Sequence, residues 1–287
     1  MPEDCFSMNE VTELQPEIRR EMMLEMMAVP TQSMHEDLMV HWLTAYAVDH
    51  GYVVSTDRYN NVYVTKGKAE FYPCVASHID TVQPLREIEV KEEGGYVTGW
   101  LGDRRVGFGA DCKTGIYVCL ELLRLMPNLK VLFCASEEIG AEGARRSDPE
   151  WFKDVGYIME FDCPSRNLMS YSSGGTLLFD DYGTFISNAL PVLAKYGVEW
   201  QRHPFTDVMA LRPKYNISCL NLASGYYNWH ASHEFAYTPD ILNAIEMGRE
   251  LINQLGERRY DYLGQHGAPV CPVQPLRVPY PPGYKDY

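Results

Sequence analysis

Apolar positions along the chain fall into two kinds of run. In PEIRREMMLEMMAV (residues 16–29) they recur at helical spacing, with Pro16 near the start and Pro30 past the end, which predicts a helix. Thr31 or Ser33 would cap a second helix running to about His50, with Gly51 as its stop. Methionines and aromatics in these two helices read as core. Residues 113–126, 184–197 and 241–255 also carry helical patterns, the last amphipathic and opened by Pro239 and Asp240. The other runs are short and almost wholly apolar: FYPCVAS, LKVLFCAS, VGYIMEF and ISCLNLAS. Such runs mark central strands buried on both faces. YVVSTD and NVYVTKG predict a strand pair about Asn60-Asn61, and residues 87–101 a hairpin about Glu92-Glu93-Gly94-Gly95. Strands alternating with helices predict an α/β three-layer sandwich, with a mostly parallel central sheet flanked by helices.

Composition narrows the function classes. With 287 residues, 46% hydrophobic and 22% charged, the chain suits a globular protein with a substantial core. No apolar run approaches the roughly 18 residues of a membrane span. The first residues are acidic (Glu3, Asp4, Glu10, Glu13) without an apolar signal core, so the expectation is a cytoplasmic protein. The eight cysteines form no CxxC pair and read as reduced thiols. A formal net charge of −14 argues against nucleic-acid or membrane partners and is compatible with holding cations. From Pro269 onward, six of nineteen residues are proline. Residues 266–287 therefore read as an extended tail, and residues 1–265 as one domain.

The candidate chemistry sits where the apolar runs stop. His78 and Asp80 follow FYPCVAS, and on a strand such i, i+2 side chains share one face. A carboxylate beside an imidazole orients it. Asp111 opens the helix after GFGA, Glu137 and Glu138 follow LKVLFCAS, Asp162 follows VGYIMEF, and His230, His233 and Glu234 follow the last strand. Singly, each has an ordinary explanation: Asp111 as a helix cap, Asp162 capping a turn with Pro164, His230 as a satisfied core histidine, Glu137-Glu138 as a solvated pair. Jointly, five segments deliver His, Asp, Glu, Asp and His to the carboxyl edge of one sheet, where open α/β folds bind ligands. Two imidazoles and three carboxylates are a donor set that borderline cations such as Zn²⁺ accept.

SHIDTV (77–82), GFGADCKTGI (107–116), SEEIGAEGA (136–144), EFD (160–162) and GYYNWHASHEF (225–235) together resemble the co-catalytic zinc exopeptidases, most of all the peptidase T branch. Carboxypeptidase G and the aminoacylases are more distant. FTDVMAL (205–211) and VPTQSMHED (29–37) also resemble segments of that branch, and the likeness runs from about residue 16 to 256. It implies two Zn²⁺ ions, with Co²⁺ or Mn²⁺ as alternatives. His78 and Asp162 would hold one, Glu138 and His230 the other, and Asp111 would bridge them. Asp80 would orient His78, and Glu137 would be the general base. The family's histidine four before a glutamate selects His230 over His233. The implied activity is hydrolysis of small peptides by an aminopeptidase or tripeptidase. A rival with the same chemistry cleaves N-acyl or other non-peptide amides, and a third reading is a non-catalytic protein that keeps the fold. One departure is plain: only residues 163–229 separate Asp162 from His230, too few for the lid domain that peptidase T inserts there. The resemblance therefore implies a lid-less chain and carries over neither a lid-mediated dimer nor any other oligomeric state.

Overall fold

The computed structural model describes residues 14–180, 183–203 and 205–264; the proline-rich segment 266–287 lies outside them. In chain order the elements are α1 (Arg20–Ala28), α2 (Asp37–Asp49), β1 (Val53–Thr56), β2 (Val62–Lys66), β3 (Tyr72–His78), β4 (Glu89–Glu93), β5 (Tyr96–Leu101), β6 (Arg104–Val106) and α3 (Ala110–Leu125). Then come β7 (Leu129–Cys134), α4 (Glu142–Arg146), β8 (Val155–Cys163), β9 (Leu168–Ser173), β10 (Thr176–Leu177), α5 (Thr184–Lys195) and β11 (Glu199–His203). The last are α6 (Val208–Tyr215), β12 (Cys219–Ala223), β13 (Tyr226–Tyr227), β14 (Phe235–Tyr237) and α7 (Thr238–Leu255).

The main sheet runs β1-β2-β7-β3-β8-β12-β9-β10, with β11 beside β9. Its centre, β7-β3-β8-β12, is parallel, and antiparallel pairs flank it. Every residue of these four central strands is buried, as expected of runs with no polar alternation and layers on both sides. Strands β9 to β12 all join this sheet, so the described part of 163–229 extends the core layer. A smaller sheet, β13-β14-β5-β4 with β6 on β5, contains the 87–101 hairpin.

Helix α3 is buried almost to its end, Lys113 and Glu121 included. It lies close to the strands because Gly115 has no side chain: a Cβ there would stand 2.1 Å from the Phe161 carbonyl oxygen and 2.7 Å from Ser77 Oγ.

Two expectations at helix starts fail. The N-cap of α2 is Glu36, not Thr31 or Ser33. Their hydroxyls turn inward instead: Thr31 donates to the Ile79 carbonyl and Ser33 to the Asp80 carboxylate. Asp111 is not the cap of α3 either. Gly109 holds that place at φ +78°, and Asp111 has non-helical dihedrals in the first turn.

Candidate metal centre

His78 ends β3, opposite Cys134 of β7, and its Nδ1–H donates to the Asp80 carbonyl at 2.9 Å. That bond leaves Nε2 to face carboxylates from two other elements. Nε2 stands 3.2 Å from Asp111 Oδ1 and 3.4 Å from Asp162 Oδ1. The second oxygen of Asp111 lies 3.3 Å from His230 Nε2, which is also 2.9 Å from Glu138 Oε1. Asp111 thus faces one histidine with each oxygen. Two donor groups result, His78–Asp111–Cys112–Asp162 and Asp111–Glu138–His230, with potential ligand atoms within 4.8 Å of one another in each. Glu137 forms a third such group with His78 and Glu138. The structure brings together all six residues expected there. His233 is outside these groups and exposed.

Asp80 differs from expectation in one respect. Its backbone carbonyl orients His78, while its carboxylate stands farther off, at 3.5 Å from Nδ1. The carboxylate instead accepts the N–H groups of Glu137 (2.8 Å) and Glu138 (3.2 Å) and the Ser33 hydroxyl (2.7 Å). One buried side chain therefore fixes the backbone from which both acidic groups project.

Four further polar residues serve the site, and none was singled out for this work in the sequence. Glu36 accepts the hydroxyl of Ser136, which precedes Glu137 and stands in the left-handed region at φ +55°. Asn61 accepts the Ala135 N–H and donates to the Gly143 carbonyl, spanning the loop that carries Glu137 and Glu138. Glu234 accepts the N–H groups of Phe108 and Gly109 just ahead of Asp111. Asn221 bonds both backbone groups of Asp162, where the ladder between β8 and β12 slips.

Without cations the cluster is electrostatically crowded. Burial, then neighbouring charges led by Asp162 and including Asp207 and Glu138, holds the Glu137 carboxyl well above the usual range. Burial also raises Asp162, against the pull of His78. Burial alone would lower His78, but Asp162, Asp111 and Asp80 together lift it well above an ordinary imidazole. Hydrogen bonds that His230 donates to Asp111 and Glu138 push it up to about 10. Asp111 falls below the usual range despite its burial, because both histidines bond to it. Protons thus sit where a cation would, a charge pattern that divalent ions relieve. The donor set of imidazole nitrogens and carboxylate oxygens fits zinc and similar ions. The centre opens into a cleft of about 290 Å³ that is also lined by Pro164, His203, Phe205, Tyr226 and Trp229.

No protein-family model matches the chain. Over 161 residues, 51% of this chain, it is 25% identical to the cytosol non-specific dipeptidase of Escherichia coli, of whose length it covers 33%. Its fold is similar to that of the aminopeptidase PepT of Bacillus cereus, with a TM-score of 0.70 and 15% identity, over 82% of this chain and 97% of that one. A tripeptidase of Staphylococcus aureus matches over the same shares, with a TM-score of 0.69 at 13% identity. The chain has the peptidase T fold. The parallel strands end at one edge, and it is this edge that carries His78, Glu137, Glu138 and Asp162. No helix among the described residues is long and apolar enough to cross a membrane.

Proposed function

We propose that this chain is a metal-dependent exopeptidase of the aminopeptidase type, acting on small peptides with two divalent cations, zinc in the first instance. The observation that carries the reading is Asp111, whose two oxygens each face a different histidine within 3.3 Å. His78 and Asp162 would hold one ion, Glu138 and His230 the other, with Asp111 shared. Bound cations of this kind lower the pKa of water towards neutrality and polarise a carbonyl.

The chain's own residues do the rest. Glu137 lines the cleft beside the candidate ligands, and its place suits a proton acceptor. It would take a proton from the attacking water and deliver it to the leaving amine. Asp80 and Glu36 hold residues 136–138, in an arrangement that would let Glu138 take an ion and leave Glu137 for the proton. The segment 163–229 adds strands to the main sheet, which supports a catalytic unit working without a lid.

The decisive experiment combines metal analysis of protein purified without chelator with a panel of aminoacyl, dipeptide, tripeptide and N-acyl substrates, each run with and without chelator. Close to two ions per chain and chelator-sensitive release of N-terminal residues are expected. Cleavage confined to N-acyl substrates would move the protein to the amidohydrolases. A folded protein that binds no ion, even with zinc added, would end the metal reading.

A further inference from the structure

The cleft has two chemically distinct sides. Asp111, Glu137, Glu138, Asp162 and His230 supply the polar one, while Pro164, Phe205, Tyr226 and Trp229 supply apolar surface. Tyr226 is fully buried and stands edge-on to Trp229 at 6.2 Å between ring centroids. Phe205 is half-buried, and His203 donates to its carbonyl through Nδ1. Trp229, next in sequence to His230, is 37% exposed. A large ring left open to solvent beside a reactive centre, and backed by a buried aromatic, is surface prepared for an apolar ligand group.

The end of the peptide that enters follows from charge. Among the described residues, no lysine or arginine lines the cleft. Burial pulls the remaining basic group, His203, below an ordinary imidazole, so it stays neutral at pH 7. A terminal carboxylate held against the apolar side would lose water with no lysine or arginine to meet it, and at the centre it could only occupy the ions that the scissile carbonyl needs. An N-terminal residue avoids that cost, since its peptide carbonyl reaches the centre while the C-terminus trails outside.

Resting on the peptidase reading above, we propose that Pro164, Phe205, Tyr226 and Trp229 form the pocket for the side chain of a peptide's N-terminal residue. This pocket selects large aliphatic or aromatic side chains over glycine and over acidic ones. Apolar side chains gain by burial against the rings. An acidic one would lose its water against the rings without a counter-charge there.

The test uses the metal-loaded full chain and tripeptides differing only in their first residue: Gly, Ala, Leu, Phe or Asp. Leu and Phe peptides should exceed the Gly peptide in kcat/KM by about tenfold or more, and the Asp peptide should be the poorest. In Trp229→Ala, checked for unchanged metal content, the Leu-to-Gly ratio of kcat/KM should fall severalfold. Phe205→Ala provides the same ratio test through a second residue if the first variant folds poorly. Equal kcat/KM across the panel, a preference for the Asp peptide, or a ratio unchanged in the variants would overturn the pocket while leaving the peptidase standing. Failure of the doubly loaded protein to cleave any member would overturn the peptidase reading, and the pocket with it.

Discussion

The carboxylate of Asp80 accepts the backbone N–H of Glu137 at 2.8 Å, and its other oxygen takes the N–H of Glu138. The end of β3 thereby sets the conformation of the loop that follows β7. Asp80→Ala would leave two backbone donors without their acceptor, at about 1–3 kcal/mol for each that water does not reach. A thermal melt should show clear destabilisation, and zinc affinity should fall roughly 10- to 100-fold, as for other residues that orient ligands. Asp80→Asn, which keeps one acceptor oxygen, should lose less of both. Wild-type zinc affinity in Asp80→Ala would show that the loop holds its shape unaided.

Glu137→Gln separates an enzyme from a metal-binding scaffold. The amide keeps the shape but cannot take the proton, so turnover should drop by roughly a hundredfold or more while bound metal stays at the wild-type level. If metal leaves together with activity, Glu137 is a ligand instead.

His230 and His233 lie three residues apart, yet only His230 faces Asp111 and Glu138. His230→Ala should lose one equivalent of metal and nearly all activity. His233→Ala should retain both ions, since its side chain is outside the donor groups. Metal analysis of the two variants decides the matter, and the reverse pattern would displace His230 from the site.

The metal-free protein should respond to alkali. Its folded His230 titrates near 10 against about 6.5 in an unfolded chain, so the folded state holds the extra proton between those values. The stability this contributes is complete below about pH 6.5 and is lost as pH rises towards 10. A cation must displace the same proton, so its binding strengthens over that window. The melting temperatures of loaded and chelated protein should therefore diverge from pH 6.5 to pH 10. A constant gap would mean that His230 does not titrate as a ligand.

The parts of this structure most readable in sequence are the buried parallel strands. Their apolar runs are continuous and each breaks off in charged residues, so both the strand and its functional end are marked locally. The smaller sheet was less visible, because strands of two or three residues such as β13 and β14 carry no period. Local reasoning also misassigned Thr31 and Ser33. Hydroxyls just ahead of a helix look like caps, but their partners lie 48 and 47 residues away. The supports Glu36 and Asn61 were not legible for the same reason, being joined to Ser136 and Ala135 across 100 and 74 residues. With Asp80 the i, i+2 spacing identified the right neighbours, but the atom that meets His78 is the carbonyl.

Strands buried on both faces raise a problem of alignment. Where polar and apolar residues alternate, a slip of one position exposes the wrong face and is rejected. Strands β3, β7, β8 and β12 have no such alternation, so their hydrophobic pattern alone would tolerate shifted pairings. The polar links at their ends would not. Asn221 fits the two backbone groups of Asp162 in only one frame, and Asp80 meets the amides of Glu137 and Glu138 only when His78 stands opposite Cys134. A shifted pairing would bury those groups without partners. The same side chains that hold the reactive edge in place therefore act as keys, admitting one alignment of an otherwise slippery sheet.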